Sequence, residues 1–205
     1  MNENKRYIES SLDALGRFQK IAFAAACCER MLPNYQVFYE AEHWGNPAVL
    51  REAIDLVWLY IASDEHQNDE LRKLSKEFDK LIPDSEDFVS LHTSAATAAA
   101  LAILETVKCC INKDICEAID VADYSYDSID LYLQFSGQVD IPKKVSAMKF
   151  RKIIEPVLVN HPLIQQELER QKCDLDLLAS SEKLNKKVVG KLKNRSFGKS
   201  NIIIG

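Results

Sequence analysis

The sequence predicts an all-α protein: one domain over residues 1–205, a bundle of about seven to nine helices around one buried, alanine-rich central helix. Three observations predict it. Apolar residues recur every third or fourth position along most of the chain, and no segment alternates with a period of two. Only six glycines and six prolines interrupt 205 residues, and alanine, leucine, glutamate and lysine dominate, which favours helices. Finally, Ser94 to Leu104 carries no charge on any side of a helical wheel. A helix apolar all round is buried or membrane-spanning. The uncharged run Phe88–Leu104 is borderline for a span and is punctuated by Ser90, His92, Thr93, Ser94 and Thr97. It reads as a buried core helix with no membrane, starting at Asp84 or Ser85 after Pro83 and ending at Ile111.

Taken in order, Tyr7, Ile8, Leu12 and Leu15 mark a first amphipathic helix that Gly16 ends or kinks. A second runs from Arg17 to Leu32 with Phe18, Ile21, Ala22, Ala25 and Cys28 on one face, and Pro33 stops it. Asn34 to Glu42 makes a short third helix. Gly45-Asn46-Pro47 is a stop and a new start, with Asn46 as cap and Pro47 at the first helical position. The fourth helix, Pro47 to Ser63, carries Leu50, Ile54, Val57, Trp58 and Ile61 at helical spacing, and a polar loop follows to Asp69. A fifth spans Glu70 to Ile82, with Leu71, Leu74, Phe78 and Leu81 inward. Beyond the central helix, Asp114 caps a stripe from Ile115 to Phe135. Gly137 to Ser146 is a connector, and a short helix over Ala147–Ile154 precedes Pro156. Asn160 and Pro162 open the last helical stretch, whose stripe changes phase at Ser180-Ser181, predicting a break. Ile202-Ile203-Ile204 is apolar enough to dock on the body.

The net charge of −5 conceals an asymmetry: Lys183 to Lys199 holds six lysines and one arginine without an acid, leaving −12 on the rest. A basic helix and tail over 183–205, docked on an acidic body, is the expected arrangement. Such a block can steer a chain towards nucleic acid, but the body's charge opposes approach to phosphate, so nucleic acid is not the expected partner. The opening Met1-Asn2-Glu3-Asn4-Lys5-Arg6-Tyr7 is polar with no cleavable apolar run behind it, which predicts a cytoplasmic protein with reduced thiols.

No complete catalytic constellation is visible. Cys27-Cys28 and Cys109-Cys110 are adjacent pairs, and helical neighbours point about 100° apart, so they read as core residues rather than a thiol or metal site. Glu40-Ala41-Glu42-His43 has the Glu-x-x-His spacing of dinuclear bundles, but a second copy is missing and Asp64-Glu65-His66 lies in a loop. His92 sits among Ser90, Thr93 and Ser94, where a histidine satisfying a helix terminus is the expected role. Gly-x-Ser-x-Gly and Gly-rich phosphate loops are absent. No catalytic residue, metal or cofactor is therefore predicted.

Cys28-Glu29-Arg30-Met31-Leu32-Pro33-Asn34-Tyr35 resembles the Cys-Glu-Arg-Met-x-Pro-Asn-Tyr motif of the YjaG-like family, bacterial proteins grouped as a domain of unknown function. Arg51 with Ile54-Asp55-Leu56-Val57-Trp58, Ile82-Pro83 with Asp87-Phe88, and Ser200-Asn201-Ile202 extend the resemblance over nearly the whole chain. The lysine-rich stretch before Ser200 departs from the family, in which that helix is more mixed in charge. The resemblance implies an all-helical fold and carries over no activity, substrate or catalytic residue.

Two charges at the end of an apolar helix must pair or reach water. Glu29 and Arg30 are expected to find Arg51 and Asp55, one turn apart on the next long helix, with Tyr35 folding back over the junction. The functional expectation is a non-catalytic cytoplasmic protein that binds a macromolecular partner, a second copy of itself or a small ligand through Glu29, Arg30, Asn34, Tyr35, Arg51, Asp55 and His92. Two alternatives stand beside it: an enzyme with a polar cleft near Glu29, Arg30, Asn34, Tyr35 and His92, and nucleic-acid association through the basic helix.

Overall fold

The computed structural model describes residues 3–63, 68–112, 116–140 and 146–196. Helix α1 (Glu3–Asp13) buries Ile8 and Leu12. The Gly16 amide donates to Gln19 Oε1 at 2.9 Å to open α2. Helix α2 runs unbroken from Arg17 to Glu42, with Pro33 inside it. The expected stop at Pro33 and the separate helix after it are thus corrected to one 26-residue helix. An interior proline costs about 3 kcal/mol. Burial of Tyr35 and Phe38 beyond it offsets that, at about 1.5–3 kcal/mol for each large apolar side chain.

Helix α2 ends at His43, which adopts the left-handed conformation (φ 52°) and donates its amide to Tyr39 O. Gly45 also has positive φ, and a Cβ there would collide with the Tyr35 hydroxyl. Asn46 Oδ1 then accepts from the Ala48 amide at 3.2 Å, starting α3 (Pro47–Ala62) as expected. Helix α4 (Asp69–Ser75) is shorter than its apolar stripe predicts, and a 3-10 turn over Phe78–Lys80 replaces its second half. Phe78 and Leu81 are buried by that tighter winding.

The central helix α5 spans Thr93–Ile111 and does not start at Asp84. Asp84 instead closes a local turn: its Oδ1 accepts from the Glu86 amide at 2.9 Å and its carbonyl from Asp87 at 3.1 Å. Such local bonds compete with helix. Phe88 packs on Phe38 and Trp44, with ring centroids 5.2 and 5.3 Å away, which holds this segment outside the helix. Helix α6 (Ala118–Phe135) follows as expected; Asp114 and Ile115 lie outside the described residues.

Helix α7 (Ala147–Lys149) passes through a π turn, Phe150–Ile154, into α8 (Glu155–Val159). Pro156 directly follows the π turn, at the second residue of α8, so it does not end the segment. His161 rather than Asn160 caps α9 (Pro162–Ala179), its Nδ1 accepting from Leu163. The predicted break at Ser180-Ser181 separates α9 from α10 (Lys186–Ser196), which folds back against α2, α3 and α9. The apolar tail lies outside the described residues.

Every residue from Ile21 to Met31 is buried, so α2 is a second central helix beside α5. It touches α3, α5, α6, α9 and α10. Alanines and cysteines on both helices allow close approach, and Arg17 at the head of α2 donates to the Cys109 and Cys110 carbonyls at the end of α5. Helix α5 is long and apolar enough to cross a membrane by length and composition; here it is enclosed by the bundle, Ala96, Ala99, Ala100, Ala102 and Ile103 being fully buried.

Candidate functional site

Glu29 and Arg30 are consecutive on α2, so their side chains leave the helix about 100° apart and enter different networks. Glu29 faces α3. Arg51 donates to both its oxygens, at 2.5 and 2.9 Å, and Trp58 Nε1 donates to Oε1 at 2.8 Å. Arg51 turns its other edge to Asp55, at 2.9 and 3.2 Å. Three of the predicted residues therefore meet as expected, on the two helices expected. The carboxylate of Glu29 is enclosed while Asp55 stands in solvent.

Arg30 faces the opposite way. Its Nε donates to Glu167 Oε2 at 3.0 Å, Nη2 to Glu167 Oε1 at 2.9 Å, and Nη1 to Asp174 Oδ2 at 2.8 Å. The expected bridge to Asp55 does not form, because Arg51 already satisfies that carboxylate and Arg30 lies on the α9 side of α2. Ser125 on α6 and Gln171 on α9 donate to Glu167 Oε1 at 2.8 and 3.2 Å. Burial works against the Arg30 charge, yet Glu167 and Asp174 outweigh it and hold the guanidinium well above its usual pKa. Burial also lifts the Asp174 carboxyl, against the pull of Arg30. Glu167, Gln171 and Asp174 are 137 to 144 positions from Arg30 and escape sequence reading. The one signal was their spacing of four and three, a polar stripe on one face of a helix whose apolar stripe lacks a member at position 171.

Asn34 and Arg30 border a void of about 10 Å3 with Ser125, Ser128 and Glu167, room for about one water and no ligand. Tyr35 stands on the continuous α2 and donates to Leu81 O at 2.7 Å, so the expected fold-back over a junction after Pro33 is not formed. His92 precedes α5, where its carbonyl accepts from Ala96 and its amide bonds Ser90 Oγ. Neither Tyr35 nor His92 lines the two cavities that Arg30 borders, so the polar cleft expected to join them to Arg30 is not formed. His43 terminates α2 in the left-handed conformation, and Glu40 accepts from Gln36, so the Glu-x-x-His face is not built.

A cleft of about 320 Å3 opens between α9 and α10, where Arg30 and Asp174 meet Glu169, Arg170, Cys173, Asn194 and Arg195. Arg195 Nη1 donates to Cys173 O at 2.9 Å and lies 3.9 Å from Asp174 Oδ1. Arg170 makes no hydrogen bond or ion pair among the described residues, and its Nη1 is fully buried. Burial lowers its pKa, with Arg30 adding to the effect, against the pull of Glu167 and Asp174. A second cavity, about 330 Å3, lies between α1, α6, α8 and α9, lined by Asp123, Asp127 and Glu155; Lys5, also in its lining, pairs with Asp123.

The family model described as "Protein of unknown function (DUF416)" matches residues 7–205. The chain belongs to this family. Relatives of this DUF416 chain include the uncharacterized protein YjaG of Escherichia coli, 26% identical over 198 residues covering 95% of this chain and 94% of that protein. An uncharacterized protein of Haemophilus influenzae is 28% identical over 95% of both chains. The crystal structure of a DUF416 family protein from Shewanella baltica superposes with a TM-score of 0.81 at 28% identity, covering 96% of this chain and 97% of that one. The resemblance read from the Cys28–Tyr35 motif is thereby borne out, as is the all-helical fold.

Proposed function

We propose that this DUF416 protein is a non-catalytic, cytoplasmic binding protein whose ligand is a small molecule held between α9 and α10. One observation carries the reading: the buried Arg30 network is closed by partners from α6 and α9 and opens on its remaining side into the 320 Å3 cleft. That volume lies at the lower end of the range for small-molecule sites, about 300–1,000 Å3. Glu29, Arg51 and Trp58 satisfy one another, which makes them braces between α2 and α3 rather than ligand contacts.

The test uses the full-length protein in thermal-shift and native mass-spectrometric screens against a metabolite panel, beside an Asn194→Trp variant that fills the cleft. A compound that raises the melting temperature of the parent protein and leaves Asn194→Trp unmoved supports the proposal. A panel without such a compound overturns it in favour of a macromolecular partner.

A further inference from the structure

Around the cleft some charged groups are already paired and others are left open. Arg30 is consumed by Glu167 and Asp174. Asp174 is spent on Arg30, leaving Arg195 a distance of 3.9 Å, too long for a hydrogen bond. Glu169, which also lines the cleft, accepts only a weak contact from the Cys173 thiol at 3.7 Å, so one carboxylate stands beside the arginines. Arg170 feels the charges of Glu167 and Asp174, which are already spent on Arg30, but makes no hydrogen bond or ion pair among the described residues, and one of its nitrogens is sealed from water. A guanidinium carries five donors and cannot shed its charge, so leaving those donors without a hydrogen bond at a half-buried position is costly.

We infer that the α9–α10 cleft recognises a small oxyanion, a phosphate or carboxylate group gripped by Arg170 and Arg195 with Asn194 as a neutral donor. The inference rests on the cleft being the ligand site and names the chemistry that would fill it. Two forked guanidiniums match the planar edge of a carboxylate or phosphate. Lys186, Lys187, Lys191 and Lys193 on α10, which has no acid, add an attractive field that salt will screen. An amine would have to sit beside two arginines with only Glu169 to pair with, and a neutral polyol would leave the charge-assisted donors of Arg170 unused. Helix α10 brings Asn194 and Arg195 to α9 only by folding back, so the site exists only in the folded protein.

Calorimetric titration of the full-length protein with inorganic phosphate, with citrate and with putrescine, at low and high salt, tests the inference. Saturable binding of phosphate or citrate, weakened by salt and absent for putrescine, is expected. Binding of phosphate alone assigns a phosphorylated ligand; binding of citrate alone assigns a carboxylate. Arg170→Gln should lower anion affinity at least about tenfold, as loss of a charge-assisted hydrogen bond requires. Its melting temperature without ligand should hold or rise, since a half-buried cation that makes no hydrogen bond is removed. Unchanged affinity in Arg170→Gln, or no anion binding in the parent protein, overturns the inference. If a neutral or cationic compound binds and Asn194→Trp abolishes it, the cleft stands as a ligand site and the anion inference alone falls.

Discussion

Arg30 is 3% exposed and makes five hydrogen bonds to two carboxylates and a thiol. Removing one member of such a network leaves buried charge behind, whereas removing an exposed partner leaves only a solvated one. Arg30→Ala is therefore expected to cost about 3–5 kcal/mol, and Asp55→Ala no more than about 1 kcal/mol. Urea melts of the single and double variants check both figures. A cycle between Arg30 and Glu167 should show strong coupling, and one between Arg30 and Asp55 should be additive. Coupling to Asp55 instead of Glu167 would mean that α9 does not pack on α2 as described. Replacing the whole cluster by apolar residues is a different experiment, since well-packed isosteres can match a buried ion pair in stability.

At the scale of the element, α2 holds the fold together and carries its most unfavourable residue. Pro33 denies the Glu29 carbonyl a helical donor and lies between Met31 and Asn34, both buried. Substituting Pro33→Ala restores the donor, so α2 should gain about 1–3 kcal/mol, the upper figure being the full helical penalty of proline and the lower allowing for greater freedom of the unfolded chain. Denaturant midpoints with far-ultraviolet circular dichroism measure it. A loss of stability would show that the junction needs the proline to aim Tyr35 at Leu81.

For the whole molecule, the meeting of α2 and α5 is the last part expected to open. It buries Cys27 and Cys28 from one helix and Cys109 and Cys110 from the other; Cys116 is half-buried and Cys173 exposed, and all six are free thiols. Burial lifts the Cys28 and Cys110 thiols to about 12, which removes the reactive thiolate as well as access. A native thiol titration should therefore give rapid reaction of Cys173, slower reaction of Cys116, and silence from the other four until global unfolding. Rapid reaction of four or more thiols would mean that α5 separates from α2 below the global transition.

Local chemistry sufficed for much of this protein. Asn46-Pro47 started α3, Ser180-Ser181 broke the last helical stretch, and the uncharged run within Thr93–Ile111 marked a buried helix, because caps, breakers and periodicity act within a few residues. The charges of Glu29 and Arg51 also announced that they needed partners on neighbouring helices. Tertiary structure decided the rest. It carried α2 through Pro33 and drew Phe88 into an aromatic cluster instead of a helix, since long-range burial outweighs a local preference of a few kcal/mol. It also gave Arg30 to Glu167 and Asp174 rather than Asp55, and left Arg170 open on a cleft. Which face of α2 meets which later helix depends on how α6, α9 and α10 stack, and no spacing along the chain encodes that order.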